Sequence, residues 1–213
     1  MTDSSWTLDP VINASMETLK LPPEEDLKAL MAKRAPMEAR APKVGEQAPA
    51  FTAERLSAEG KVTGEQVSLA DYRGRDFALM FGSITCPIYR GQIQRFNEIY
   101  AELNERYAFL LIYISEAHPE DGWQLDINHD QSVVYNQPVT KAERIAIAQD
   151  GVCQHAIKLP LAVDDMDNTI DQLYSGSPER LYLIDAEGAV RHRSVPGPFK
   201  LDVIENWYQA LKG

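Results

Sequence analysis

One stretch of the sequence limits the fold more than any other. An apolar run at residues 77–81 leads through Gly82-Ser83 to Cys86-Pro87 and then into an amphipathic pattern. Apolar residues recur there at steps of three and four, which predicts one buried helical face made of Ile93, Phe96, Tyr100, Leu103 and Tyr107. We therefore interpret the stretch as a strand, a tight turn and a helix. Pro87 suits the first helical position because its ring presets φ and its missing N–H is not needed there.

A cysteine stands at the start of this predicted helix. The unpaired N–H groups and the positive end of the helix dipole favour a thiolate over a thiol at such a position. The placement of Cys86 therefore predicts a redox-active or nucleophilic residue. The alternative is that Cys86 is a small buried hydrophobic residue, as free cysteines often are.

Composition excludes several classes of protein. The 213 residues are 44% hydrophobic and carry a formal net charge of -11, so nucleic acid and anionic lipid are disfavoured as partners. Residues 1–20 show no basic segment followed by an apolar run, so we expect neither a signal peptide nor a membrane anchor. Cys86 and Cys153 are too few for a disulfide scaffold and are not spaced as metal ligands. We expect a cytoplasmic protein, since reduced thiols suit a reducing compartment.

The chain divides by composition into an arm and a globular domain. Residues 1–44 are predicted to be a helical arm with a linker: a helix from residue 21 to Arg34, then a linker from Ala35-Pro36 to Pro42-Lys43. The apolar residues Leu19, Leu27, Leu30 and Met31 suggest either packing on the domain or a second subunit, or a loosely ordered tail. Residues 45–213 are predicted to form the domain.

The domain reads as an α/β fold. The strand and helix around Cys86 are followed by a wholly apolar run at residues 108–114, which predicts a buried parallel strand and a right-handed βαβ unit. A long irregular segment, residues 115–139, precedes a helix at 141–155, where Thr140 and Glu143 have capping-box spacing. Strands at 159–163, 181–184 and 189–194, a short helix at 168–174 and a closing helix at 201–212 complete the chain. This order predicts a thioredoxin-like fold, a central mixed sheet flanked by helices.

The usual dithiol of thioredoxin-type oxidoreductases is absent, because Tyr89 occupies the place of the second cysteine. Cys86 must then be resolved by Cys153, by an external thiol or by a small-molecule reductant. Cys153 lies late in a helical pattern beside Val152, so it is either a resolving cysteine or a buried helix residue, and we favour the latter.

Four segments together resemble the iodothyronine deiodinases, a thioredoxin-like family related to the peroxiredoxins, and the likeness runs from about Val44 to the end of the chain. The segments are Phe81-Gly82-Ser83-Ile84-Thr85-Cys86-Pro87, Tyr113-Ile114-Ser115-Glu116-Ala117-His118-Pro119-Glu120-Asp121-Gly122-Trp123, Asp165-Met166-Asp167-Asn168, and Pro178-Glu179-Arg180-Leu181-Tyr182-Leu183-Ile184.

The resemblance implies an active site built on Cys86. This residue stands where the family has selenocysteine, Glu116 matches the catalytic Glu, and His118 matches a substrate-binding His. We include Thr85, next to Cys86 in the motif, in the catalytic set. The predicted topology agrees with this assignment. Glu116 and His118 follow one parallel strand and Cys86 follows another, so all three should meet at one edge of the sheet. A carboxylate and an imidazole there could relay a proton.

Three further residues are candidates for substrate binding. Arg180 is placed like the peroxiredoxin arginine that stabilises the cysteine thiolate, although it could equally pair with Glu179 or Asp185 on the surface. Trp123 is either a stacking wall for an aromatic substrate or a packing residue. The chain departs from the family at the second substrate-binding His, where it has Asn136-Gln137-Pro138, and at Pro196, which replaces a basic residue; His129 could substitute for the missing His.

No metal is expected. Asp164, Asp165 and Asp167 cluster in sequence, but strand-end turns and a helix cap explain them. The resemblance likewise implies no metal and no bound cofactor, only an external thiol reductant such as thioredoxin, glutathione or dithiothreitol.

Three hypotheses for function follow. In the first, Cys86 reductively deiodinates an iodinated phenol, with Glu116 and His118 as the proton relay. In the second, Cys86 is a peroxiredoxin-like thiol peroxidase that reduces peroxides through a sulfenic acid. The third is a non-catalytic thioredoxin-like binding module. By analogy with both enzyme families, the arm offers apolar surface for a homodimer.

Overall fold

The computed structural model describes residues 23–197 and 201–213. Leu19 and the first residues of the predicted arm helix lie outside the described residues. A seven-stranded mixed sheet forms the centre, in the order β2-β1-β5-β4-β3-β6-β7. Its strands are β1 (Thr52–Leu56), β2 (Val62–Ser68), β3 (Phe77–Gly82), β4 (Ala108–Tyr113), β5 (Leu161–Val163), β6 (Arg180–Ile184) and β7 (Val190–Arg193).

Helices accompany the sheet. They are α1 (Glu24–Arg40), α2 (Pro87–Leu103), α3 (Asp126–Asp130), α4 (Lys141–His155), α5 (Thr169–Tyr174) and α6 (Leu201–Lys212), with a 3-10 turn at Leu69–Tyr72. The expected α/β architecture, a mixed sheet flanked by helices, is confirmed. None of the helices in the described ranges combines the length and apolar character needed to cross a bilayer.

The unit around Cys86 is the predicted one. β3 is buried along its whole length and pairs in parallel with β4, which in turn pairs in parallel with β5. The remaining pairings are antiparallel and lie on either side of these three strands. Helix α2 buries Ile93, Phe96 and Leu103 as expected, but it ends at Leu103. Because β3, β4 and β5 run in the same direction, the segments that follow them meet at one edge of the sheet.

The cap of α4 follows the sequence pattern. The Thr140 hydroxyl accepts from the Glu143 N–H at 3.2 Å, and the Glu143 carboxylate accepts from the Thr140 N–H at 3.1 Å. The predicted capping box is therefore present.

The arm differs from its prediction. The helix does not end at Arg34 but continues through Pro36 to Arg40, so the predicted linker is wrong over most of its length. Proline removes a helical hydrogen bond, and a cost of about 3 kcal/mol is typical. Contacts to the domain offset it: Met37 is buried, and Glu38 forms ion pairs with Arg180 and Arg193.

The apolar contact between the described part of the arm and the domain is limited and centres on the buried Met37. Leu30 is 36% exposed and Met31 63% exposed, whereas Leu27 is half-buried. Helix α1 instead packs against α5, with Arg34 and Glu38 turned toward the domain.

Candidate active site

Cys86 lies immediately before α2 and is 1% exposed. Burial, with a smaller contribution from the carboxylate of Glu179, raises the pKa of its thiol to about 12. The backbone N–H groups of Tyr89 and Ile88 lower this pKa, as the helix N-terminus predicts, but they do not outweigh burial. Cys86 is therefore a neutral thiol at physiological pH, and the expected thiolate is not present in this closed site.

One cavity of about 90 Å³ connects Cys86 with the residues of the resemblance. The start of α2 and the loop after β4 supply Cys86, His118 and Trp123 to its lining. Leu30 and Arg34 of α1 line it from the outside.

His118 is held in one orientation inside this cavity. Its Nδ1 lies 3.0 Å from the carbonyl oxygen of Trp123, and the two rings meet edge to face with centroids 4.6 Å apart. Burial lowers the pKa of His118 to about 4. The imidazole is therefore neutral at pH 7, and a carbonyl partner requires that Nδ1 carry the hydrogen. Nε2 is left as a hydrogen-bond acceptor.

Glu116 is the centre of a buried hydrogen-bond cluster. Its Oε1 accepts from the Tyr113 hydroxyl at 2.6 Å, and its Oε2 accepts from the Thr85 hydroxyl at 2.7 Å and the Thr85 N–H at 3.2 Å. Burial raises the pKa of Glu116, although these hydrogen bonds act against the rise. The Thr85 oxygen also accepts from the backbone N–H of His118 at 3.1 Å. Glu116 thus fixes the backbone on both sides of the cavity through Thr85.

The hydrogen bonds do not connect Glu116 to the imidazole of His118, as a proton relay between the two side chains would require. Thr85 joins Glu116 to the backbone of His118, and not to its imidazole. The carboxylate hydrogen bonds described above end on Tyr113 and Thr85, so Glu116 holds the segments around the cavity in place. Two residues that the sequence reading passed over support the same cluster. Gln137 bonds both the N–H and the C=O of Glu116, and Asn128 donates to the Thr85 carbonyl at 2.9 Å.

Arg180 does not face Cys86. Its side chain is fully buried and pairs with Glu38 of α1, with Nη1 to Oε2 at 2.8 Å. The expected surface pair with Glu179 or Asp185 is also wrong, because Arg180 itself is buried. Arg90, one turn into α2, is instead the arginine whose charge lowers the pKa of Cys86. Its position at the start of the helix could have indicated this from sequence, whereas the partner of Arg180 lies too far away in the chain.

Trp123 is half-buried and lines the cavity against His118, so it packs and is at the same time available to a ligand. His129 lies on α3, is half exposed and pairs with Glu120 at 2.9 Å. It does not line the cavity that holds Cys86. The structure therefore does not bring His129 together with the other candidates.

Cys153 is exposed, so the expectation of a buried helix residue is wrong. The inward face of α4 carries Ile147, Ala148 and Gly151, and a residue two positions beyond Gly151 points to the opposite side. Both cysteines are free thiols.

The Asp cluster has a structural explanation. Asp164 Oδ1 accepts from the N–H of Ile170 at 3.0 Å, and Asp165 Oδ1 accepts from the N–H of Thr169 at 2.9 Å, so both carboxylates bind the start of α5. Among the described residues, no group of three or more His, Cys, Asp or Glu is arranged to hold a metal ion.

Sequence comparison extends the resemblance. Residues 9–210 match the family model described as iodothyronine deiodinase, so the match begins upstream of Val44 and includes α1. The thyroxine 5-deiodinase of Gallus gallus is 34% identical over 140 residues, which are 65% of this chain and 52% of that protein. The type I iodothyronine deiodinase of Xenopus laevis is 32% identical over 140 residues, which are 65% of this chain and 53% of that protein. The chain thus spans about half the length of these curated relatives.

Structure comparison supports the fold. A putative thiol:disulfide interchange protein DsbE from Chlorobium tepidum superposes with a TM-score of 0.55 at 18% identity, covering 81% of this chain and 97% of that one. The reduced 2-Cys peroxiredoxin of Plasmodium vivax gives a TM-score of 0.53 at 18% identity, covering 79% of this chain and 81% of that one. The expected thioredoxin-like fold is confirmed.

Proposed function

Because the chain belongs to the iodothyronine deiodinase family, we propose that it is a thiol-dependent oxidoreductase that removes iodine from an iodinated aromatic substrate through Cys86. The observation that carries this proposal is the shared cavity of Cys86 and His118, in which a protonated thiol lies with a neutral imidazole. The iodinated aromatic substrate is itself proposed, because the chain spans only about half the length of the relatives named above.

The protonation states define the first step. A free thiolate is disfavoured by burial, so the thiol proton leaves as the S–I bond forms. The sulfur electron pair attacks iodine, the C–I bond breaks, and the aryl carbon takes a proton. Nε2 of His118 is the acceptor proposed to carry the proton from sulfur to carbon. The step balances as thiol plus aryl iodide giving sulfenyl iodide plus aryl C–H.

The second step needs an external reductant. A first external thiol attacks the sulfenyl iodide and expels iodide, and a second thiol attacks the mixed disulfide and restores Cys86. An external source is proposed because Cys153 is exposed on α4 and is not among the residues that line the cavity. Glutathione, thioredoxin or dithiothreitol can fill this role. Free cysteines also support the proposal of a reducing compartment such as the cytoplasm.

The neighbouring residues have assigned roles in this proposal. Thr85 and Glu116 hold the backbone of Cys86 and His118 in register and are positioning residues. Trp123 offers an aromatic face to a ring-shaped substrate, and its carbonyl fixes the His118 tautomer. Arg180 and His129 have no part in the step because their side chains pair elsewhere.

The alternative is a peroxiredoxin-like peroxidase. One observation favours it: a cavity of about 90 Å³ readily holds a small peroxide. In that reaction the Cys86 sulfur attacks the peroxide O–O bond, giving a sulfenic acid and an alcohol or water. An external thiol then reduces the sulfenic acid. A homodimer also stays a prediction.

The proposal is tested by iodide release from 3-iodotyrosine and from an iodothyronine in the presence of dithiothreitol. Cys86→Ser should abolish release, and His118→Gln should lower kcat/KM by about 100-fold or more, the usual contribution of a proton-transferring group. Cys153→Ser is the matched control and should retain the parental rate. Absence of iodide release from protein that still consumes peroxide through Cys86 would leave the peroxidase reading in its place.

A further inference from the structure

The outer wall of the cavity belongs to α1. Leu30 and Arg34 line the cavity together with Cys86, and the Arg34 Nη2 donates to the Ser177 carbonyl at 2.6 Å. Ser177 itself lines the same cavity. Cys86 is 1% exposed, and α1 supplies one side of the cavity that leads to it.

The cavity is narrow for an aromatic substrate. Its volume of about 90 Å³ lies below the range of about 300–1,000 Å³ that is usual for sites of drug-sized ligands. A small molecule such as hydrogen peroxide therefore enters it more easily than a ring that carries iodine and an amino-acid side chain.

Helix α1 is attached in a way that permits opening. Met37 is its one buried side chain among the described residues, whereas Leu30 and Met31 are exposed. The attachment is mostly polar. Arg34 donates to the carbonyls of Ser177 and Gly197.

An ion-pair cluster completes the attachment. The Glu38 carboxylate lies between Arg180, whose side chain is fully buried, and Arg193, whose side chain is 19% exposed. Segments with few buried apolar contacts open locally at a lower free energy than the core. The sheet and α2, by contrast, are held by extensive apolar packing.

We propose that α1 is a size-selecting lid over Cys86: while it is docked only small molecules reach the sulfur, and it undocks from the Ser177 carbonyl and from Arg180 to admit an aromatic substrate. Leu30, Arg34 and Glu38 are the residues that set this selection. The lid controls access to Cys86 whatever reaction the sulfur performs. Its effect on the choice of an aromatic substrate rests on the proposed function.

The lid is tested by measuring the alkylation of Cys86 with two reagents of different size, iodoacetamide and fluorescein-5-maleimide. All proteins carry Cys153→Ser, so that Cys86 is the single thiol of the chain. Arg34→Ala removes the hydrogen bonds to the Ser177 and Gly197 carbonyls, together with the positive charge that faces the buried carboxylate of Asp171. We expect it to raise the rate with the bulky reagent about tenfold, the equivalent of one charge-assisted hydrogen bond, and the rate with iodoacetamide by less. Lys33→Ala, an exposed neighbour with the same change of charge, should match the parent.

Glu38→Gln is the second variant, because it weakens the ion pairs at the other attachment point. Its fold is checked by thermal unfolding, and Arg34→Ala decides alone if Glu38→Gln does not fold. Selective acceleration of the bulky reagent supports the lid. An unchanged bulky-reagent rate, or equal acceleration of both reagents, overturns it. The alkylation assay needs no enzymatic turnover. If the variants are alkylated selectively by the bulky reagent but the protein releases no iodide, the lid is supported and the proposed function is contradicted.

Discussion

At the scale of single residues, burial decides the chemistry of the site. The N-terminal amides of α2 act on Cys86 in the expected direction, yet desolvation raises its pKa to about 12. The same desolvation keeps His118 neutral, with its pKa lowered to about 4. A buried site therefore stores the proton on sulfur and leaves the imidazole as its acceptor. In the proposed reaction Cys86 thus supplies both the electron pair that attacks iodine and the proton that takes the place of iodine on the aryl carbon.

The lowered pKa of His118 makes the stability of the protein depend on pH in a defined window. An unfolded His takes up a proton near pH 6.5, whereas folded His118 does so near pH 4. Between these values the unfolded state holds more protons, so stability is fully present above pH 6.5 and is lost as the pH falls toward 4. The full effect is at most about 3 kcal/mol.

His118→Gln isolates this effect from other groups. Asp164, whose pKa is raised to about 6 by burial, acts in the opposite direction over the same range, so the parent must be compared with the variant. Urea unfolding between pH 4 and 7 should show the parent losing stability relative to His118→Gln as the pH falls. NMR should place the His118 titration midpoint well below 6.5. Parallel stability curves and a midpoint near 6.5 would show that His118 is solvated.

At the scale of elements, the β3–α2 junction depends on one close approach. Gly82 ends β3, and a Cβ added there would lie 2.5 Å from the ring of Tyr89 on α2. Tyr89, which is 2% exposed, occupies the place of the second cysteine of thioredoxin-type enzymes. Its ring fills the space over the end of the strand. The Tyr89 ring, which stands where thioredoxin-type enzymes have their second cysteine, therefore packs in this way only because residue 82 is a glycine.

A double-mutant cycle tests this packing. Gly82→Ala should destabilise the protein by about 1–3 kcal/mol, because the added methyl group pushes against a buried ring that has no free space to enter. In a Tyr89→Leu background the same change should cost less, since the ring is gone. Urea unfolding gives the four free energies. Equal costs in the two backgrounds would mean that Gly82 and Tyr89 are not coupled.

The elements also show what a sequence can predict. The strand–helix–strand unit and the Thr140–Glu143 cap were predictable because each depends on residues a few positions apart. The continuation of α1 through Pro36 was not, because the ion pair that holds it joins residues 142 positions apart. For the same reason the sequence did not indicate that Glu38 is the partner of Arg180. The helix that carries Cys153 was predictable, but which face of that helix packs on the core, and hence the exposure of Cys153, was not.

At the scale of the whole molecule, the sheet and the arm have separate tasks. The parallel strands β3 and β4 bring the segments of Cys86 and His118 to one edge of the sheet, and the Glu116 cluster locks them together. The arm helix closes this edge through Arg34 and Glu38. The candidate catalytic residues were predictable from motifs, whereas their enclosure by α1 depends on the tertiary structure.

The attack of the Cys86 sulfur on iodine can be tested in a single turnover without reductant. Reduced Cys153→Ser protein, freed of external thiol, is mixed with excess 3-iodotyrosine, and the deiodinated product is counted per protein molecule. The account predicts about one equivalent of tyrosine, a Cys86 that no longer alkylates, and iodide released only when dithiothreitol is added. Formation of no tyrosine, with Cys86 still free to react, would contradict the claim that its thiol attacks iodine.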